Sequence, residues 1–72
     1  MNNLNVAKIQ LNGGSYEINT ETNLNKLLNM LKIKNTKVAI EVNGAIIEKN
    51  KYTKVILSKG DKVEIVHFIG GG

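Results

Sequence analysis

The sequence has no cysteine, no proline, no tryptophan and no arginine, and its only histidine is His67. Without cysteine there is no disulfide framework, no thiolate zinc site and no thiol nucleophile or side-chain persulfide. A single histidine cannot build a His-rich metal site and leaves at most one way to assemble a Ser-His-Asp triad. The lack of arginine removes the bidentate donor that nucleic-acid sites favour. The aromatics are only Tyr16, Tyr52 and Phe68, few for base stacking. The formal charge of +4 rests on ten lysines, so it points to solubility rather than to nucleic-acid recognition. No apolar run approaches the roughly 20 residues of a membrane span, and Met1-Asn2-Asn3 begins polar with no apolar signal core behind it. A soluble cytoplasmic protein is the expectation. The 72 residues leave room for one small domain. A hydrophobic content of 42% is enough to build its core, against a globular norm of about 45–50%.

What is present is strongly patterned. Ala7 to Leu11 alternates apolar and polar residues, the period of a half-buried strand, and Ser15 to Asn19 alternates again. Between them Asn12-Gly13-Gly14 supplies the positive-φ residues of a tight turn, so the pair predicts a β-hairpin. Leu24, Leu27, Leu28 and Leu31 then fall on one helical stripe. A helix from about Leu24 to Ile33 is expected, capped by Asn23 or Thr22 and stopped near Asn35. Val38, Ile40 and Val42 alternate again, and Asn43-Gly44 predicts a second hairpin returning through Ile46-Ile47-Glu48. Residues 49–53 show no period, and Tyr52 is expected to anchor that loop to the core. Ser58-Lys59-Gly60-Asp61 reads as a turn before a last strand from Lys62 to Ile69, after which come Gly70, Gly71 and Gly72.

The order β-β-α-β-β-β makes an α+β domain, a mixed sheet of four to five strands with one main helix packed on one face. That is the ubiquitin-like β-grasp. It would bury Ile9, Leu11, Ile18, Val63 and Ile65 against Leu24, Leu27, Leu28 and Leu31. The domain is expected over residues 1–69, with 1–5 frayed, and a flexible glycine tail over 70–72. Alternation in the last strand sends Val63, Ile65 and His67 to one side and Lys62, Glu64, Val66 and Phe68 to the other. With Ile65 toward the helix, Val66 and Phe68 lie on the open face of the sheet and, with Ile69, form a candidate docking patch beside the tail.

The tail is the chemically distinctive feature. Glycine carries no Cβ, so such a segment can thread a narrow channel. A carboxylate at Gly72, with an ordinary pKa of about 3.3–3.7, would be ionised at neutral pH and able to attack the α-phosphorus of ATP in a partner's active site. The carrier of such a group needs no catalytic side chains of its own.

The hairpin, the leucine-rich helix, Val42-Asn43-Gly44-Ala45-Ile46-Ile47, Tyr52, Lys59-Gly60-Asp61 and Val63-Glu64-Ile65-Val66 running into Gly70-Gly71-Gly72 together resemble the ThiS family, small sulfur carriers of thiamin thiazole biosynthesis. The resemblance covers the chain from about Val6. It implies that Gly72 is adenylated and then converted to a thiocarboxylate, with Gly70 and Gly71 as its lead. It further implies three partners: a ThiF-like adenylyltransferase using ATP, a cysteine desulfurase relay supplying sulfur, and thiazole synthase accepting it. The chain itself would hold no cofactor or metal and would not be an enzyme. It departs from the family in having Glu48 where many members have proline and Tyr52 where many have tryptophan, both away from the tail.

Two alternatives share the fold: a molybdopterin-type sulfur carrier and a non-catalytic β-grasp binding module. His67 reads as a surface residue at a strand end rather than an acid-base group, since lone histidines rarely act without a positioned partner. Asp61 reads as a turn residue, and Glu41, Glu64 and Asp61 form no paired-carboxylate site. No glycine-rich loop opens the helix, because Gly13-Gly14 sits in a hairpin well ahead of Asn23.

Overall fold

The computed structural model describes residues 5–69. Two strands open it, β1 (Val6–Leu11) and β2 (Gly14–Asn19), followed by helix α1 (Leu24–Leu31), then β3 (Val38–Val42), β4 (Ala45–Ile47) and β5 (Lys62–His67). The five strands form one mixed sheet in the order β2-β1-β5-β3-β4. Only the β1–β5 contact is parallel; β1–β2, β3–β4 and β3–β5 are antiparallel. This is the β-grasp architecture that the pattern of strands and helix predicts. Of the expected frayed segment, residues 1–4 lie outside the described residues.

Both hairpins turn on the same chemistry. Leu11 pairs with Gly14 and Val42 with Ala45, which leaves two-residue loops, Asn12-Gly13 and Asn43-Gly44. All four loop residues have positive φ, at 48° and 84° in the first loop and 53° and 87° in the second. Two successive positive-φ residues twist the chain in the sense that matches the strands, and Asn-Gly is the pair that tolerates them most easily.

Helix α1 starts where Asn23, in extended conformation, accepts a hydrogen bond from the Lys26 N–H at 2.7 Å through its side-chain oxygen. Thr22 is not the cap; its hydroxyl donates to the Asn19 carbonyl at 2.6 Å. The helix stops at Leu31, two residues short of the expected Ile33. Lys32 adopts the left-handed conformation at φ 60°, and the Ile33 N–H closes back on the Leu28 carbonyl at 2.9 Å. That backward closure satisfies a terminal carbonyl without glycine. Asn35, expected to end the helix, instead opens a 3₁₀ turn, Asn35–Lys37, that leads into β3.

Leu24, Leu27 and Leu28 are sealed between the helix and the sheet, with Ile9, Ile18, Val38, Ile40, Val63 and Ile65 beneath them. Leu11 and Leu31, expected in this core, are only partly buried at its margin. Ala7, Tyr52 and Leu57 complete it. The region expected to lack periodicity forms a 3₁₀ turn, Lys49–Lys51, that delivers Tyr52 into the interior. The loop is pinned to the start of the helix, where the Asn25 N–H donates to the Tyr52 carbonyl and the Leu57 N–H donates to the Thr22 carbonyl. Burial raises the Tyr52 phenol above its usual pKa, and a backbone hydrogen bond at Ile40 offsets part of that rise.

Candidate functional site

The candidate site is built on β5, the central strand of the sheet. Its alternation is strict. Val63 and Ile65 point into the core, while Glu64 and Val66 point to the uncovered face. The strand ends at His67 rather than at Ile69, although the Phe68 N–H still bonds the Lys37 carbonyl at 2.9 Å. His67 is exposed at the strand end, as a surface residue would be.

Val66 and Phe68 are 55% and 56% exposed, and Ile69 is 98% exposed. Met30 and Ile56 are also exposed, but Val66, Phe68 and Ile69 stand together at the end of one strand. The register places Ala39 opposite Val66, and Glu41 opposite both Glu64 and Ile46, so these side chains share the open face. Ile46, 72% exposed, adds an apolar residue that the sequence reading did not single out. The available signal was the Ile46-Ile47 pair itself: adjacent strand residues face opposite ways, so one of the two must point outward. The Lys49 ammonium lies 5.5 Å from the centre of the Phe68 ring, a cation–π contact that drapes the loop over one edge of the patch. The proposed reactive positions Gly70, Gly71 and Gly72 lie outside the described residues.

Main-chain bonds hold β5 on both edges near its start. On one side the Asn43 N–H donates to the Lys62 carbonyl at 2.7 Å, and the Asn43 side-chain oxygen accepts from the Lys62 N–H at 2.9 Å. The Asn43 amide also donates to Asp61 at 3.0 Å, and the other Asp61 oxygen accepts from the Ser58 N–H at 2.8 Å. Asp61 therefore serves its turn, as expected. On the other side Asn12 does the work of a strand residue. Its N–H donates to the Val63 carbonyl at 2.9 Å, its side-chain oxygen accepts from the Ile65 N–H at 2.7 Å, and its amide donates to the Ile65 carbonyl at 3.1 Å.

Among the described residues no cluster of His, Asp or Glu is placed to hold a metal ion. No helix among them is long and apolar enough to cross a membrane. The arrangement is a rigid strand that leads an apolar patch to the threshold of a glycine run.

Comparison with known proteins places the chain among relatives along nearly its whole length. Sulfur carrier protein ThiS of Bacillus subtilis (strain 168) is 40% identical over 65 residues, covering 89% of this chain and 98% of that protein. A thiazole synthase of Magnetococcus marinus is 43% identical over 65 residues, 90% of this chain, but the chain spans only 20% of its length. The crystal structure of the thiamine biosynthesis protein ThiS from Geobacter metallireducens superposes with a TM-score of 0.77 at 31% identity, covering 90% of this chain and 99% of that one. The ThiS family profile matches residues 9–72, from the first strand through the glycine run. With its fold and nearly its whole length accounted for in this way, the chain belongs to the ThiS family.

Proposed function

We propose that this protein is a sulfur carrier for the thiazole of thiamin, acting in the cytoplasm through the carboxylate of Gly72. The observation that carries the reading is that the family match runs on through Gly70, Gly71 and Gly72, directly beyond the apolar end of β5. A ThiF-like enzyme would activate the carboxylate: its oxygen attacks the α-phosphorus of ATP, pyrophosphate leaves, and an acyl-adenylate forms. The outer sulfur of a cysteine desulfurase persulfide then displaces AMP to give an acyl disulfide. A thiol from a partner or an added reductant attacks the desulfurase sulfur, breaking the S–S bond, forming a new disulfide and releasing the thiocarboxylate for thiazole synthase to use. The carrier contributes position, and the partner supplies charge stabilisation. ATP is thus a substrate of the partner, not a cofactor of this chain.

Val66, Phe68 and Ile69 are the proposed docking residues, since enzymes that reach Gly72 must approach across them. The thiamin branch is favoured over a molybdopterin-type carrier because a segment like this chain occurs within proteins named thiazole synthase. Carrier and acceptor in one polypeptide would be a natural arrangement for a shared reaction.

The test is intact-mass spectrometry after incubation with the ThiF-like enzyme, ATP, a cysteine desulfurase, cysteine and a dithiol reductant that cleaves the acyl disulfide. The expected product has one oxygen replaced by sulfur, and removal of Gly72 abolishes it while leaving the fold unchanged. An unaltered mass in a reaction that consumes ATP with an authentic carrier would refute the proposal.

A further inference from the structure

The two edges of β5 are not treated alike. Even-numbered residues direct their main-chain groups toward β3: Lys62 meets Asn43 and Phe68 meets Lys37. Odd-numbered residues direct theirs toward β1: Asp61 accepts from the Gln10 N–H and Val63 from the Asn12 N–H, both at 2.9 Å. The parallel register ends at Leu11↔Val63, because β1 then turns into its hairpin. The Asn12 carboxamide takes the next N–H and C=O, those of Ile65, and closes that edge of the sheet. By the same alternation His67 and Ile69 present their N–H and C=O groups to this side, where among the described residues no strand continues. The chain thus has a two-sided strand up to Ile65 and a one-sided strand beyond it.

We infer that this released edge, the main-chain groups of His67 and Ile69, receives an extended strand of the enzyme that acts on Gly72. The inference rests on the carrier reading. Three residues separate Ile69 from the reactive carboxyl, and they span at most about 10–11 Å when extended. An active site working on Gly72 must therefore bring its wall alongside residues 67–69. The glycines offer no side chain to grip, so recognition of the tail has to run through the main chain, and strand addition supplies such bonds in register. A dry active-site entrance would otherwise leave the His67 and Ile69 groups without partners. The occupant is the enzyme rather than a second copy of this chain: two copies could pair over only these few residues, which is marginal for a stable contact. Asn12 is then a positioning residue, setting the point at which β5 leaves the sheet and becomes available.

Amide hydrogen exchange resolved by residue tests the inference. In the free chain the Val66 and Phe68 amides, bonded toward β3, exchange slowly, while those of His67 and Ile69 exchange fast. With saturating ThiF-like enzyme the His67 and Ile69 amides are expected to slow about tenfold or more, with Val66 and Phe68 little changed. Unchanged exchange at His67 and Ile69 in a complex that still adenylates Gly72 overturns the inference and leaves the carrier reading intact. Absence of any complex and any modification overturns both. A second measurement separates main chain from side chain. Ile69→Pro removes the N–H and Ile69→Ala only the side chain, both beyond the end of β5. The kcat/KM for pyrophosphate release should fall about three- to tenfold further in Ile69→Pro than in Ile69→Ala. Equal losses in the two variants would count against strand addition.

Discussion

Replacing Asn12 tests how the strand that leads to the tail is held. Asn12→Gly removes the carboxamide but keeps a residue at ease with φ 48°. Two hydrogen bonds to Ile65 are lost, at 2.7 and 3.1 Å, both part-buried. At about 0.5–1.5 kcal/mol each, the loss is about 1–3 kcal/mol. A domain of this length has about 4–11 kcal/mol in total, so the change is a large share of it. With a urea m-value of about 1 kcal/mol/M, the midpoint should fall by about 1–3 M. Asn12→Asp gives a sharper result. Its carboxylate can still accept from the Ile65 N–H, but it sets a second acceptor against the Ile65 carbonyl where the amide donated. Protonation restores a donor, so folding raises the new carboxyl's pKa. A raised folded value means that the favourable state is fully present below the unfolded value of about 3.9 and is lost as pH rises through the folded value. Relative to the parent at each pH, Asn12→Asp should therefore be much less stable near neutrality than at about pH 3. Urea unfolding followed by circular dichroism at both pH values measures this. Parent-like stability of Asn12→Gly, or a pH-independent deficit in Asn12→Asp, would refute the assigned bonds.

Three further outcomes follow from the packing. Leu27 is fully buried, and Leu27→Ala should cost about 2–5 kcal/mol, enough to unfold much of the population in a thermal melt; a loss under about 1 kcal/mol would contradict the core described. Lys32→Gly relieves a left-handed side-chain residue at the helix end and should raise stability by about 0.5–1 kcal/mol in denaturant titration, whereas a fall would show that the lysine side chain contributes there. The Tyr52 phenol, raised chiefly by burial, keeps its contribution below the unfolded value of 10.0 and loses it as pH rises through the higher folded value. Between about pH 9 and pH 11 the parent should lose more stability than Tyr52→Phe, and equal losses would show that the phenol is not desolvated.

The elements legible in the sequence were those with local causes. Both Asn-Gly turns, the Asn23 cap and the leucine stripe are written in a few adjacent residues, and each acts over one or two turns of chain. The helix ends two residues before its apolar pattern does, because Lys32 takes a left-handed conformation that no glycine marks in the sequence. The outward face of Ile46 is not legible in the sequence, because two consecutive apolar residues in a short strand do not say which of them faces out; the register with Glu41 decides it. The double bond of Asn12 to Ile65 joins residues 53 apart, and nothing near Asn12 announces it. A turn asparagine already has a sufficient local reason to be present, so its long-range duty is hidden behind the first. The patch of Val66 and Phe68 could be placed by alternation alone once Ile65 was assigned to the core, whereas the unequal edges of β5 required the pairing of three strands.

The missing cysteine gains meaning from this geometry. If sulfur is carried on the Gly72 carboxyl, the persulfide chemistry belongs wholly to the partners. The carrier offers no thiol that could intercept the sulfur, form a mixed disulfide or be oxidised in its place. Its native sulfur atoms are confined to Met1 and Met30, both thioethers that do not exchange with persulfides. Sulfur gained in a transfer reaction therefore has one chemically reasonable destination in the carrier, the activated acyl group. The resulting thiocarboxylate should alkylate with iodoacetamide while the unreacted protein does not. Peptide mapping should locate the label at Gly72. Label elsewhere, or a labelled product from the Gly72-deleted chain, would contradict the proposed route.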